Sequence, residues 1–308
     1  MKEQEGQFPS ATGQHVFYRV WEPETKPKAV LQIIHGMAEH SARYAEFAIY
    51  MCGQGFVVAA NDHPGHGVTG EKAGKVGFFD EKQGWNNLVR DIIYFDNQLH
   101  TRYHHIPVNI LGHSMGSFLA RHLMIIKPDV ADRWILSGTG YYNLLVRVGG
   151  FMLANLSLYF KDPQDKAGLL HSLSFDAYNK KFADEESKYA WICSDENVLE
   201  AYNNDDLCGF VATSGFYRDL LCGINVIHKK KNLKKMHPDL KVFLISGQDD
   251  PIGNFGKGVK KVKALFEKYG LKPEMMLYPN MRHEVLNEKG KSMVWKDVLD
   301  FCSRAINN

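Results

Sequence analysis

The 308-residue chain carries no excess of charge of either sign, with 37 lysines and arginines against 35 aspartates and glutamates and a formal net charge of +2. So close a balance creates no strong long-range field, which argues against a dedicated nucleic-acid-binding protein. Cysteine is scarce and unpatterned: Cys52, Cys193, Cys208, Cys222 and Cys302 are odd in number, widely spaced, and form no CxxC pair. They read as reduced thiols of a cytoplasmic protein, not as a disulfide framework or a zinc site. No long apolar run is present. Leu144–Phe160 comes nearest, but Arg147, Asn155 and the Gly149-Gly150 pair interrupt a stretch already shorter than the ~20 residues a span needs, so an amphipathic element is expected there. Met1–Ser10 lacks the basic start and apolar core of a signal peptide, so secretion is not expected. Repeats and low-complexity tracts are absent from the sequence.

What the sequence does have is rhythm. Short apolar runs rich in β-branched residues, at Ala29–Ile34, Phe56–Ala60, Val108–Leu111 and Trp134–Leu136, alternate with longer amphipathic stretches. The alternation predicts βαβ units, hence an α/β fold with a mostly parallel sheet flanked by helices. It resumes at Val242–Ile245 and Met275–Tyr278, with a helical pattern over Val259–Lys268. Between Gly140 and His237 the pattern is helical without clear strands. We therefore expect a core of residues 1–139 and 238–308 and an inserted helical cap of residues 140–237. Alternation around His15–Trp21 predicts antiparallel edge strands, ended by Pro23 and Pro27.

The motifs that carry chemistry lie at the ends of these strands. Gly112-His113-Ser114-Met115-Gly116 follows one apolar run directly and precedes Phe118, Leu119, His122, Leu123 and Ile126, which share a helical face. Glycines flanking a serine on a strand-to-helix turn permit the strained backbone that lifts a nucleophilic hydroxyl clear of a sheet. Acyl transfer also needs N–H donors for the developing oxyanion; the residue after the nucleophile, Met115, is one candidate, and Met37, in the loop His35-Gly36-Met37 after an early strand, is the other. After Val242–Ile245 comes Gly247-Gln248-Asp249-Asp250-Pro251, and after Met275–Tyr278 comes Arg282-His283-Glu284. The order serine, acid, histidine selects His283 as base and, by Gly-x-x-Asp spacing, Asp250 as its carboxylate, with adjacent Asp249 as the alternative. Glu39 and Arg43, four residues apart at a helix start, read either as an intrahelical ion pair or as substrate-recognition groups.

Other motifs are weaker. Asp62-His63-Pro64-Gly65-His66-Gly67 lacks a metal-ligand pattern and reads as a structural turn; His283-Glu284 has no second histidine of HExxH; Gly253–Gly258 has no GK[ST]. No metal or cofactor is expected. His228–Lys235 holds five lysines that could draw anionic lipid head groups to the cap, giving a transient membrane-surface contact, with a solvated helix end as the alternative.

Taken together, His35-Gly36-Met37-Ala38-Glu39-His40-Ser41-Ala42-Arg43-Tyr44, the Asp62–Gly67 turn, Gly112–Gly116, Arg282-His283-Glu284-Val285-Leu286-Asn287-Glu288, and the stretch Trp191-Ile192-Cys193-Ser194-Asp195 leading to Tyr202 and Leu207-Cys208-Gly209-Phe210 resemble the monoglyceride lipase and lysophospholipase branch of the α/β-hydrolases. The resemblance implies an α/β-hydrolase fold, a helical cap shaping an acyl-chain pocket, a Met37/Met115 oxyanion hole, and Glu39 and Arg43 near the pocket's polar end. The chain departs from that branch with Ala38 and Ala42 where glycines are frequent and Asp206 where proline is usual. The expected activity is ester hydrolysis on a small-molecule, lipid-like monoester through an acyl-enzyme at Ser114. A short-chain esterase, thioesterase or peptidase with the same triad, and a non-enzymatic small-molecule receptor, are the alternatives; oligomeric state is left open. Leu144, Leu145, Val148, Phe151, Met152 and Leu153 suit an acyl channel or membrane-facing lid, or else ordinary cap packing.

Overall fold

A computed structural model of the chain describes residues 1–173 and 177–306. Residues 174–176 of the expected cap and 307–308 of the expected core lie outside the described residues. Eight strands, β1 Lys2–Pro9, β2 His15–Glu22, β3 Ala29–Ile34, β4 Phe56–Asn61, β5 Val108–His113, β6 Arg133–Ser137, β7 Val242–Gly247 and β8 Glu274–Tyr278, form one sheet in the order β1-β2-β4-β3-β5-β6-β7-β8. The first two run antiparallel to their neighbours and the remaining pairs are parallel.

Every residue of β3 through β7 is buried, because helices cover both faces of the parallel part, and this is why these strands read as unbroken apolar runs. Successive residues point to opposite layers. Ile110, Leu136 and Leu244 pack with the helices Gly84–Arg102, Met115–Ile126 and Lys257–Lys268, whereas Leu111, Ile135 and Ile245 pack with Ala45–Gly53 and Lys291–Ser303. The edge is different. β1 is not anticipated by the sequence pattern because only its Phe8 is buried, and main-chain pairing with β2 along its whole length holds it. Charged Glu3, Glu5 and Arg19 on this edge discourage pairing with another chain.

The chain leaves the sheet at Ser137 and returns at Val242. Between them lie helices Leu144–Phe160, Glu196–Asn203 and Ser214–His228 with shorter turns, and, among the described residues, a single β-bridge from Lys166 to Thr213. Asn143, Asp195 and Thr213 cap the three helices by accepting hydrogen bonds from the N–H groups of Val146, Asn197 and Phe216. Leu144–Phe160 corrects the amphipathic expectation. Its apolar residues do not gather on one covered face: only Ala154 is buried, while Leu144, Leu145, Val146, Val148, Met152, Leu156, Tyr159 and Phe160 are exposed. No helix of the described residues is long and apolar enough to cross a membrane.

Candidate active site

The parallel strands deliver their C-terminal ends, and therefore the loops that follow, to one edge of the molecule, where α/β folds place their ligands. β5 ends there in the turn that carries Ser114. Its backbone has φ of +52°, a conformation L-residues rarely adopt. The turn is so tight that a Cβ on Gly116 would collide with the Ile34 carbonyl and one on Gly112 with the Gly116 carbonyl, which accounts for both glycines. Ser114 N–H donates to the Ser137 carbonyl at 2.9 Å, and Ser117 Oγ donates to the Ser114 carbonyl at 2.6 Å, fixing the turn against β6.

The loops after β7 and β8 bring Asp250 to His283. Asp250 Oδ2 lies 3.0 Å from His283 Nδ1 and accepts from Ser246 Oγ at 3.1 Å, while Oδ1 accepts from Ile252 N–H at 2.8 Å. Burial works against the charge of both groups. Mutual attraction and these hydrogen bonds outweigh it, so Asp250 is held below the usual carboxylate range and His283 above the usual imidazole value. Asp249, the alternative acid, points elsewhere and pairs with Lys181 at 2.7 Å. His283 Nε2 is buried with no hydrogen-bond partner among the described residues. It faces a cavity of about 80 Å³ that Ser114 also lines. A Cβ on Gly138, one residue beyond the Ser137 that holds the Ser114 backbone, would lie 2.7 Å from His283 Cε1. Ser114 and His283 share no hydrogen bond among the described residues.

Met37 and Met115 line the same cavity. Met115 is the first residue of its helix, so its N–H has no intrahelical partner and stands at the positive end of the helix dipole. Met37 is steadied through its neighbour Ala38, whose carbonyl accepts from Tyr202 O–H at 2.9 Å and Gly209 N–H at 3.0 Å. Ala38 has φ of +56°, a backbone conformation that a glycine would adopt without strain.

The remaining walls divide by chemistry. Phe118, Tyr142, Tyr178, Tyr217, Leu220, Ile224 and Ile252 make the cavity apolar on one side, and five of them continue into a groove of about 360 Å³ bordered by Leu153, Leu170 and Leu173. Of the lid-like residues named from the sequence, Leu153 borders this groove, and Leu144, Leu145, Val148 and Met152 face solvent.

Glu39 and Glu284 occupy the other side. Glu39 and Arg43 do not form an intrahelical surface pair: Glu39 precedes the short 3-10 helix Ser41–Tyr44, both side chains are buried, and the main partner of Arg43 is Glu284, bound by two contacts at 2.5 and 2.7 Å. Glu39 Oε2 receives only one arm of the guanidinium, at 3.2 Å, and Oε1 accepts from Gly36 N–H and Tyr44 O–H. Burial raises both carboxylates. The bidentate guanidinium reverses this for Glu284 and holds it at about 2, while Glu39, with weaker contact and a second carboxylate nearby, stays above its usual value.

Three participants escape a reading of the sequence. Glu284 adjoins His283 but gives no local sign that it will grip Arg43, 241 positions away. His113 lies ring to ring with His283 at 4.7 Å, and Trp191, from the insertion, does so at 5.2 Å. His113 occurs inside the nucleophile motif, which was its only signal; Trp191 stands in the cap motif. The Asp62–Gly67 turn is architectural: Asp62 accepts from the N–H groups of Ser41 and Val68, and His63 and His66 are buried against His35.

Comparison with known proteins gives concordant findings. A family model described as serine aminopeptidase, S33, matches residues 25–290. Human monoglyceride lipase is 33% identical over 159 residues, 48% of this chain and 50% of that protein. The chain thus spans about half the length of the mammalian relatives it matches. The monoacylglycerol lipase of Mycolicibacterium smegmatis is 26% identical over 304 residues, 96% of this chain and 95% of that one. Among solved structures, a thermostable carboxyl esterase from Bacillus coagulans in complex with glycerol superposes with a TM-score of 0.92 at 25% identity, covering 99% of both chains.

Proposed function

The chain belongs to the serine aminopeptidase, S33, family of α/β-hydrolases, and from that premise we propose that it cleaves carboxylic esters of lipid-like substrates, monoacylglycerol or lysophospholipid, through an acyl-enzyme. The observation that carries this reading is the cavity's composition: an unpartnered, buried His283 Nε2 and Ser114 sit between a long apolar wall and a polar pair of carboxylates. An acyl chain matches the first side and a hydroxylated head group the second. The names of the human and mycobacterial relatives, and the glycerol in the Bacillus complex, support the same substrate class.

In this reading Ser114 Oγ attacks the ester carbonyl as His283 Nε2 takes its proton, and Asp250 holds the imidazole in the required tautomer and balances its charge. The N–H groups of Met37 and Met115 receive the oxyanion. His283 then protonates the departing alkoxide, and a water activated by the same nitrogen releases the fatty acid. Glu39, held by Arg43, receives the head-group hydroxyls. Residues 140–237 act as the cap, the groove past Tyr217 and Leu220 takes the acyl tail, and the exposed apolar side chains of Leu144–Phe160 with the lysines of His228–Lys235 make a transient contact with anionic lipid surfaces.

The test is labelling of the purified protein with a fluorophosphonate beside Ser114→Ala and His283→Ala. Labelling is expected only with Ser114 in place, and both variants should lose about 10⁴-fold or more in kcat. Persistent labelling of Ser114→Ala would reject the nucleophile. A series of p-nitrophenyl esters separates the substrate classes: rates should rise from acetate to longer acyl chains, and a preference for acetate would overturn the lipid reading.

A further inference from the structure

Trp191 belongs to the insertion, yet it packs on the group that moves the proton. Its ring centroid lies 5.2 Å from that of His283, the planes 37° apart, and the indole is almost wholly buried. This placement is held from several directions. Arg282, just before His283, donates from Nη1 to the carbonyls of Ala190 at 2.6 Å and Cys193 at 3.1 Å. Glu284, just after it, donates its N–H to the Ile192 carbonyl at 2.8 Å. Glu288 accepts from Ser194 N–H, Ser194 Oγ and Arg282 N–H. Asn179 Oδ1 accepts from Trp191 N–H at 3.1 Å, and the Tyr178 ring lies 5.2 Å from the indole. The residues on either side of the imidazole are thus tied to those on either side of the indole.

We propose that Trp191 is a positioning residue for acyl transfer, its indole holding the His283 ring with Nε2 toward Ser114 and stabilising the imidazolium that forms there. The inference rests on the hydrolase reading above. Its physical basis is that a cation near an aromatic face is attracted by the ring quadrupole, most strongly by indole and most strongly when water is excluded. A neutral imidazole gains little from that field. The attraction therefore arises mainly after Ser114 has given up its proton, so it lowers the barrier without tightening ground-state binding. Asp250 serves the Nδ1 edge of the same ring. Other charged or titratable groups near His283 among the described residues are Glu284 beside it in the chain, Glu39 from the loop after β3, both paired with Arg43, and His113 from the end of β5, which burial keeps neutral with a value near 3. Substitution of Trp191 leaves all of these in place.

The experiment compares Trp191→Phe and Trp191→Leu with the unsubstituted chain on p-nitrophenyl butyrate, whose short acyl group stays clear of the distal groove, with rates normalised by active-site titration. Trp191→Leu should lower kcat about tenfold with KM nearly unchanged, and should move the acid limb of kcat/KM to lower pH, because the imidazolium has lost a stabilising partner. Trp191→Phe should recover part of both effects. Fluorinated tryptophan at position 191 keeps the shape while weakening the ring's negative face, and kcat should fall stepwise with fluorine number, which keeps the test decisive should either substitution unfold the chain. Variants that change KM alone, or a fluorine series that leaves kcat flat, would make Trp191 a mere wall and overturn the inference. An unsubstituted protein that hydrolyses no ester would instead remove the hydrolase reading on which it stands.

Discussion

The two parts of the helical insertion meet the sheet domain in opposite ways. From Leu144 to Leu173 large apolar side chains face solvent, with Leu145 83% and Tyr159 82% exposed, and the helix Leu144–Phe160 rests chiefly on Ser214–His228. From Lys181 to Gly209 the chain is tied to the loops after β3, β7 and β8: Lys181 to Asp249, Ser194 to Glu288, Tyr202 and Gly209 to the Ala38 carbonyl, and His40 to Asp205 at 2.8 Å. Few buried contacts mean a low local cost of opening, and many buried polar contacts mean the reverse. The first part is therefore the easier to open, and the second holds the loops of Ala38, Asp249 and His283 at fixed positions.

The strongest way to break this comparison is to cut the pinned part at Glu288, which is buried and accepts from Ser194 N–H at 3.0 Å, Arg282 N–H at 2.7 Å and Ser194 Oγ. Glu288→Ala leaves three donors without an acceptor, each costing about 1–3 kcal/mol when it stays buried. A loss of roughly 3 kcal/mol or more is expected in chemical denaturation, together with a fall in kcat as the His283 loop loses its register with Trp191. An unfolding midpoint equal to that of the unsubstituted protein would mean that the Ser194–Glu288 contact pins nothing.

This division was only half legible beforehand. The strands β3 to β7 announce themselves because burial on both sheet faces imposes apolar runs, β8 does so by its run Met275–Tyr278 although only Tyr278 is buried, and glycine marks the sharp turn at Ser114. β1 gives no such sign, since an edge strand with one buried side chain, Phe8, is specified by main-chain pairing. The insertion misleads in a different way. The apolar content of Leu144–Phe160 is plain, but whether those residues are covered depends on what lies above them, which local pattern does not encode. Trp191 and Glu284 act across long sequence separations, on His283 and Arg43, and periodicity is blind to such pairs.

A smaller effect sharpens the same contrast through pH. Glu284 is held at about 2 against an ordinary value of 4.5. Its pairing with Arg43 therefore stabilises the fold above pH 4.5, and that contribution is lost as pH falls toward 2. Glu39, displaced upward, acts with the opposite sign, contributing at low pH and losing its contribution as pH rises. Glu284→Gln should unfold more readily at neutral pH, and its stability curve should converge on that of the unsubstituted protein as pH approaches 2. Parallel curves throughout urea titrations between pH 2 and 7 would show that the buried ion pair is not what ties the base loop to Arg43.

The least effect on stability should come from the other part. Leu145 and Tyr159 already keep most of their surface in water, so Leu145→Ser combined with Tyr159→Ser removes little burial and should change unfolding free energy by no more than about 0.5 kcal/mol. Hydrolysis of p-nitrophenyl acetate should likewise stay level, because neither side chain lines the cavity at Ser114. What should fall is flotation with anionic liposomes, along with the rate on long-chain monoesters presented in them, since the helix would have lost apolar area that only a lipid surface covers. A marked loss of stability would mean instead that these residues are buried in solution, against a second copy or a closed position of the helix. The insertion would then have no open part to set against its pinned one.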